Sequence, residues 1–193
     1  MAAVLDIDTD LMVRVQRDDA QSFSALLHRN RALVIQFLAR MVHNRDIAEE
    51  LAQDVFVRVY RSRHSYEPSA KFSTWLYRIT TNVALNYFRD QRRRLNNVSL
   101  DVQEADHLRR EAPDHAPLAE EQLVRSALAE QIRQAIHSLP PKQRAAVIMH
   151  KYDEMDYGQI AQVLGCSSSA VKALMFRAYE TLRRRLKNLS ESG

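Results

Sequence analysis

Residues 157–186 read YGQIAQVLGCSSSAVKALMFRAYETLRRRL. Ile160, Ala161 and Leu164 fall on one side of a first helix. Gly165 suits the left-handed residue that ends it, and the serines after it can cap a second helix. On that second helix Val171, Leu174, Ala178 and Leu182 recur at three- and four-residue steps and supply the packing. A short helix, a tight turn with glycine and a longer polar-faced helix make the helix-turn-helix pattern. Ser168, Ser169, Lys172, Phe176 and Arg177 are left on the outer face, and Arg183, Arg184, Arg185 and Lys187 follow. A recognition helix sets its first turns in the DNA major groove, where hydroxyls and a lysine suit base edges and phosphates. The competing reading is a helical hairpin whose polar face meets only water.

Working outward, Leu128, Ile132, Ile136 and Leu139 repeat at helical spacing, Pro140 and Pro141 end that helix, and KQRAAVIMHKY (142–152) begins another. In the first half, Phe23, Leu26, Leu27, Val34, Phe37, Leu38 and Met41 mark either one amphipathic helix or two broken near Arg29 to Arg31. DIAEELAQDVFVRVYRS (46–62) offers Asp46 as an N-cap with Glu49 three residues later, and a row of Ile47, Leu51, Val55 and Val59. SYEPSAK (65–71) breaks the pattern with Pro68 before a further helix starts near Phe72.

That helix, KFSTWLYRITTNVALNYFRDQRRR (71–94), ends in Arg92, Arg93 and Arg94. Phe72, Trp75, Leu76, Ile79 and Val83 form its core stripe, with Trp75 as a packed anchor. Thr74, Tyr77, Arg78, Thr81, Asn82, Asn86 and Arg89 fall largely off the stripe and offer amides, hydroxyls and cations. That mixture suits single-stranded nucleic acid, which is held by stacking surfaces beside a cationic track. A solvated helix whose basic end complements its dipole is the plainer alternative.

With 193 residues, 46% of them apolar and only three glycines, the chain can bury cores but lacks the turns of a β protein. The expectation is an all-α protein of two small helical domains joined by a flexible linker, the C-terminal one a helix-turn-helix. The linker is read between about Leu95 and Ala119, where periodicity fails and Pro113 and Pro117 join many charges. The boundaries expected are residues 1–95, 96–120 and 121–193. The net charge of +4 is modest, but the basic residues are clustered, as nucleic-acid binding requires.

The single cysteine, Cys166, excludes an internal disulfide and argues for a reducing compartment. Acidic residues near the start and the lack of a long apolar run suggest a cytoplasmic protein without membrane insertion. DIDTD (6–10) is not a calcium loop, because Leu11 and Arg17 stand where glycine and the closing glutamate belong, so a solvated acidic segment is expected. Asp153, Glu154 and Asp156 are assigned to capping and solvation. No metal, cofactor or small-molecule substrate is expected: the histidines lack ligand spacing and no phosphate-binding glycine loop occurs.

Taken together, AEELAQDVFVRVYR (48–61), KFSTWLYRITTNVALNYFRDQRRR (71–94) and LPPKQRAAVIMHKYDEMDYGQIAQVLGCSSSAVKALMFRAYETLRRRL (139–186) resemble the extracytoplasmic-function (ECF) sigma factors of bacterial RNA polymerase. The resemblance spans nearly the whole chain, with three motifs in order. It implies that the first motif docks on the clamp helices of the polymerase largest subunit, with Glu50, Gln53, Asp54 and Arg58 as the contact residues. It implies recognition and melting of the minus-ten element by the segment SYEPSAKF (65–72) and the next helix, through Lys71, Arg78, Asn82, Asn86 and Arg89, with an extruded base near the loop. The helix-turn-helix would read the minus-thirty-five element through Ser168, Ser169, Lys172, Phe176 and Arg177. The linker would thread the polymerase channels.

Partners implied are core RNA polymerase, promoter DNA and an anti-sigma factor. Ala173 stands where many family members carry serine, so no family promoter sequence is carried over. Two competing classes are an autonomous DNA-binding regulator, which would bind an operator tightly without polymerase, and a nucleic-acid enzyme, for which no carboxylate or histidine cluster is found.

Overall fold

In this computed structural model, residues 6–68, 71–98 and 120–190 are described, with side chains described for 6–68, 71–96 and 127–187. Eight α-helices are found among them: α1 (Ile7–Val15), α2 (Ala20–Val42), α3 (Arg45–Arg61), α4 (Phe72–Val98), α5 (Glu120–His137), α6 (Pro141–Lys151), α7 (Tyr157–Leu164) and α8 (Ser168–Ser190). A short 3-10 turn, Arg63–Ser65, follows α3. The described chain is thus all-helical, as the periodicity predicts.

The first four helices form one bundle, with α2 packed along α3, α1 on α2, and α4 on α3. Leu26, Val34, Phe37, Leu38 and Met41 of α2 are wholly buried, so the stripe in the sequence becomes the bundle's centre. Each such side chain contributes about 1.5–3 kcal/mol by leaving water. The helix runs unbroken through Arg29 to Arg31, which resolves the choice left open by the sequence. At its end His43 takes the left-handed conformation (φ 56°), and Asn44 then caps α3 by accepting from the Ile47 N–H at 3.0 Å. The expected cap, Asp46, lies inside the first turn instead, where a carboxylate complements the helix dipole.

The second bundle sets α6 and α7 against α8, with α5 alongside. Pro141 opens α6 at its first helical position, where no N–H is required. Ile136 and Leu139 are buried, whereas Leu128 and Ile132 remain 52% and 36% exposed, so the apolar row of α5 covers the core only at its C-terminal end. The two bundles also touch, α4 against α7 and α2 against α6. α4 continues to Val98, three residues past the expected domain edge, and of the linker expected at 96–120, positions 99–119 lie outside the described residues.

Candidate nucleic-acid and partner interfaces

The turn between α7 and α8 is built by local chemistry. Asp156 and Gln159 form a reciprocal capping box, with Asp156 accepting from the Gln159 N–H at 2.8 Å and the Gln159 side chain accepting from the Asp156 N–H at 2.9 Å. Gly165 ends α7 with φ 62°, where any side chain would be strained. The Ser167 hydroxyl accepts from the Ala170 N–H at 3.2 Å and so caps α8, as expected of a serine there. Ile160, Val171, Met175 and Ala178 are buried and lock the two helices. Ser168, Ser169, Lys172, Phe176 and Arg177 all stand exposed on the opening turns of α8, and Phe176 is 65% exposed. The Ser169 hydroxyl lies 2.9 Å from that of Ser167, and Arg177 Nε donates to the Ala173 carbonyl at 3.2 Å.

On α4, Arg78, Asn82, Asn86 and Arg89 follow one another at four, four and three residues, and so share a face. Arg78, Asn82 and Arg89 are exposed and Asn86 is half-buried, with exposed Lys71 just before the helix. Arg92, Arg93 and Arg94 extend the cationic track. Tyr77 and Thr81, also read as outward-facing in the sequence, are instead buried. Tyr77 packs edge-on against Phe37 at 5.5 Å, and burial together with the charge of Asp153 pushes its pKa up.

The four polymerase-contact candidates are exposed along α3, but only two of them, Gln53 and Arg58, line a concavity, each a different one. Gln53 lines a groove of about 480 Å³ between α2 and α3, floored by Phe23, Leu27 and Phe56 and edged by Val57 and Tyr60. Val57 is 46% and Tyr60 40% exposed, an unusual apolar display on a charged helix. Arg58 turns the other way, to a shallower hollow shared with Arg61, Ile79 and Asn82, beside the α4 face. Glu50 and Asp54 are exposed and line neither. The sequence reading misses Val57 and Tyr60. The available signal is that both are apolar yet fall outside the row of Ile47, Leu51, Val55 and Val59.

Buried apolar residues of the two bundles form one continuous core, and polar ties are added to it where the bundles meet. Asp153, expected to be solvated, is largely buried, facing the Tyr77 hydroxyl and lying 3.9 Å from Arg40, whose guanidinium stacks over Tyr152 at 4.5 Å. Burial raises the Asp153 pKa, opposed by Tyr77 and Arg40. The acidic segment at the N-terminus is likewise engaged: Asp8 accepts from Arg29 at 2.6 Å and from Asn30 at 3.2 Å, because α1 lies across α2. Among the described residues no group of histidine, cysteine and carboxylates is placed to hold a metal.

Two family models match the chain, sigma-70 region 2 over residues 26–94 and sigma-70 region 4 over residues 129–182. Each falls within one of the two bundles, and α1 lies outside the first match. The chain is 31% identical to the ECF RNA polymerase sigma-E factor of Haemophilus influenzae, across 94% of this chain and 96% of that one. The Escherichia coli K12 sigma-E factor gives 31% over 94% and 95%, and the Pseudomonas aeruginosa sigma-H factor 29% over the same shares. Similar folds are those of CnrH, solved with the cytosolic domain of CnrY (TM-score 0.67, 21% identity, 95% of this chain and 99% of that one), and of the Bartonella quintana sigma factor RpoE, solved with the anti-sigma factor NepR (0.65, 21%, 87% and 98%). The chain belongs to the ECF sigma factors of the sigma-70 family.

Proposed function

We propose that this protein binds bacterial core RNA polymerase in the cytoplasm, directs it to a set of promoters and helps to open the DNA there, by binding energy and without catalysis of its own. The observation that carries the reading is the exposure of three separate polar faces, on α3, on α4 and at the start of α8, on two bundles that match regions 2 and 4. In this assignment residues 1–95 hold polymerase and the minus-ten element, 96–120 connect, and 121–193 take the minus-thirty-five element.

Glu50, Gln53 and Asp54 dock on polymerase, with Val57 and Tyr60 adding an apolar anchor beside them. Arg58, beside Asn82, stands at the boundary of the docking and DNA faces. Lys71, Arg78, Asn82, Asn86 and Arg89 hold the melted minus-ten strand. Extruding a base costs a few kcal/mol, which stacking and pocket contacts offset. Ser168, Ser169, Lys172, Phe176 and Arg177 meet the minus-thirty-five duplex. An anti-sigma factor is the restraining partner expected. Among the described residues no helix is long and apolar enough to cross a membrane.

The test is footprinting on promoter DNA with and without core polymerase. Protection across both elements that requires polymerase, and that weakens steeply with salt as phosphate contacts are lost, is expected. Tight protection of a palindrome by the protein alone would instead identify an autonomous regulator.

A further inference from the structure

The turn from Arg63 to Tyr66, just after α3, is held from a distance by the first helix and the turn after it. Gln16, just past the end of α1, spends both donors of its side-chain amide on this segment: Nε2 donates to the Arg63 carbonyl at 3.0 Å and to the Tyr66 carbonyl at 2.7 Å. These carbonyls open and close the 3-10 turn, so one carboxamide fixes its span. Asp18, in the left-handed conformation at φ 63°, accepts from both Nε (3.0 Å) and Nη2 (2.7 Å) of Arg63. Arg63 is further fixed over the Tyr60 ring at 4.3 Å and by donating to the Tyr60 carbonyl. Tyr66 is 2% exposed, its hydroxyl donates to Thr9 of α1 at 3.3 Å, and its ring meets Trp75 at 5.2 Å and Phe72 at 6.0 Å.

The bonds from Thr9, Gln16 and Asp18 each bridge 45 to 57 positions of sequence. Nothing in the turn's own sequence supplies them. A segment that must receive an extruded base gains affinity by being shaped beforehand, because ordering it on binding would consume part of the interaction. Resting on the reading of residues 65–72 as part of the minus-ten site, we infer that α1 and its following turn act as a brace, with Gln16 and Asp18 as positioning residues that hold the Arg63–Tyr66 turn in shape before the extruded minus-ten base arrives. Neither residue touches DNA in this account. Both act through Arg63 and Tyr66.

The test uses holoenzyme reconstituted from the full chain and core polymerase, with the single-stranded non-template minus-ten segment of a promoter the holoenzyme uses. Gln16→Leu keeps the bulk and removes both donors, and should weaken capture of that strand about 5- to 150-fold, the range for two net hydrogen bonds. Asp18→Ala, at an exposed position, should weaken it about 2- to 5-fold. Affinity for core polymerase and for minus-thirty-five duplex should stay at wild-type level for both, which a general loss of folding would not allow. Should Gln16→Leu fail to fold, Asp18→Ala carries the test alone. Lys71→Ala serves as the control for the site itself. Weaker capture by Lys71→Ala with unchanged capture by the folded brace variants overturns the brace. Unchanged capture by Lys71→Ala and by the brace variants alike overturns the minus-ten assignment, and the brace falls with it.

Discussion

The guanidinium of Arg144 on α6 donates to the carbonyl oxygen of Met41 near the end of α2, joining residues 103 positions apart. It also donates to the carbonyls of His137 and Leu139, the latter at 3.2 Å, and lies over the Phe88 ring at 4.8 Å. The residue is 5% exposed, and burial lowers its pKa to about 10, far enough above neutrality to leave it charged. One side chain therefore closes the end of α5 and ties the two bundles together. Arg144→Met should cost about 2–4 kcal/mol in denaturant unfolding, since it strands buried carbonyls. Arg144→Lys should recover only part, because a point charge cannot span the fork. A lysine variant as stable as the parent would contradict this role.

The second tie is the pair of Arg40 and Asp153. A double-mutant cycle with alanine at each should give a coupling of about 0.5–1 kcal/mol, modest because Arg40 remains partly in water. Zero coupling would make the pair incidental to the packing of the bundles.

Val57 tests the apolar groove. Val57→Glu should weaken binding to core polymerase about tenfold or more, while unfolding free energy shifts by less than about 0.5 kcal/mol, as for an exposed site. Gln53→Ala and Asp54→Ala should each weaken it about 2- to 10-fold, with DNA contacts unaffected. Polymerase titrations with all three variants at wild-type affinity would move the docking face elsewhere.

Asp19 gives a pH signature. It caps α2, accepting from the N–H groups of Gln21 and Ser22, and the Ser22 hydroxyl above all holds its pKa below the usual value of 3.8. A folded pKa below the unfolded one means the stabilisation is complete above the unfolded value and is lost as pH falls through the folded one. Asp19→Ala should therefore melt at a lower temperature than the parent at pH 7, and the two melting curves should converge as pH drops below about 4. A gap that persists in acid would assign the effect to something other than this carboxylate.

What could be read in the sequence was whatever repeats locally. The α2 stripe, the Gly165 turn and the outward placing of Lys172 and Phe176 follow from helical spacing and one left-handed residue. Helical spacing places Tyr77 and Thr81 outward and Asp153 reads as solvated, whereas all three are largely buried, because their burial depends on tertiary packing that no local period encodes. Gln16 was silent for a related reason: its partners are backbone carbonyls of residues 63 and 66, and a carbonyl leaves no mark in a sequence. Asn44 rather than Asp46 is the cap because His43 adopts the left-handed conformation and the helix starts two residues earlier than the acidic pattern suggests.

The most direct measurement is run-off transcription with purified core polymerase on a pool of genomic promoter fragments, with and without this protein. Discrete start sites that appear only when the protein is added, and that fade when Lys172 and Arg177 are both changed to alanine on promoters with an intact minus-thirty-five element, are the predicted result. Specific DNA binding by the protein alone, with no new start site, would contradict the account.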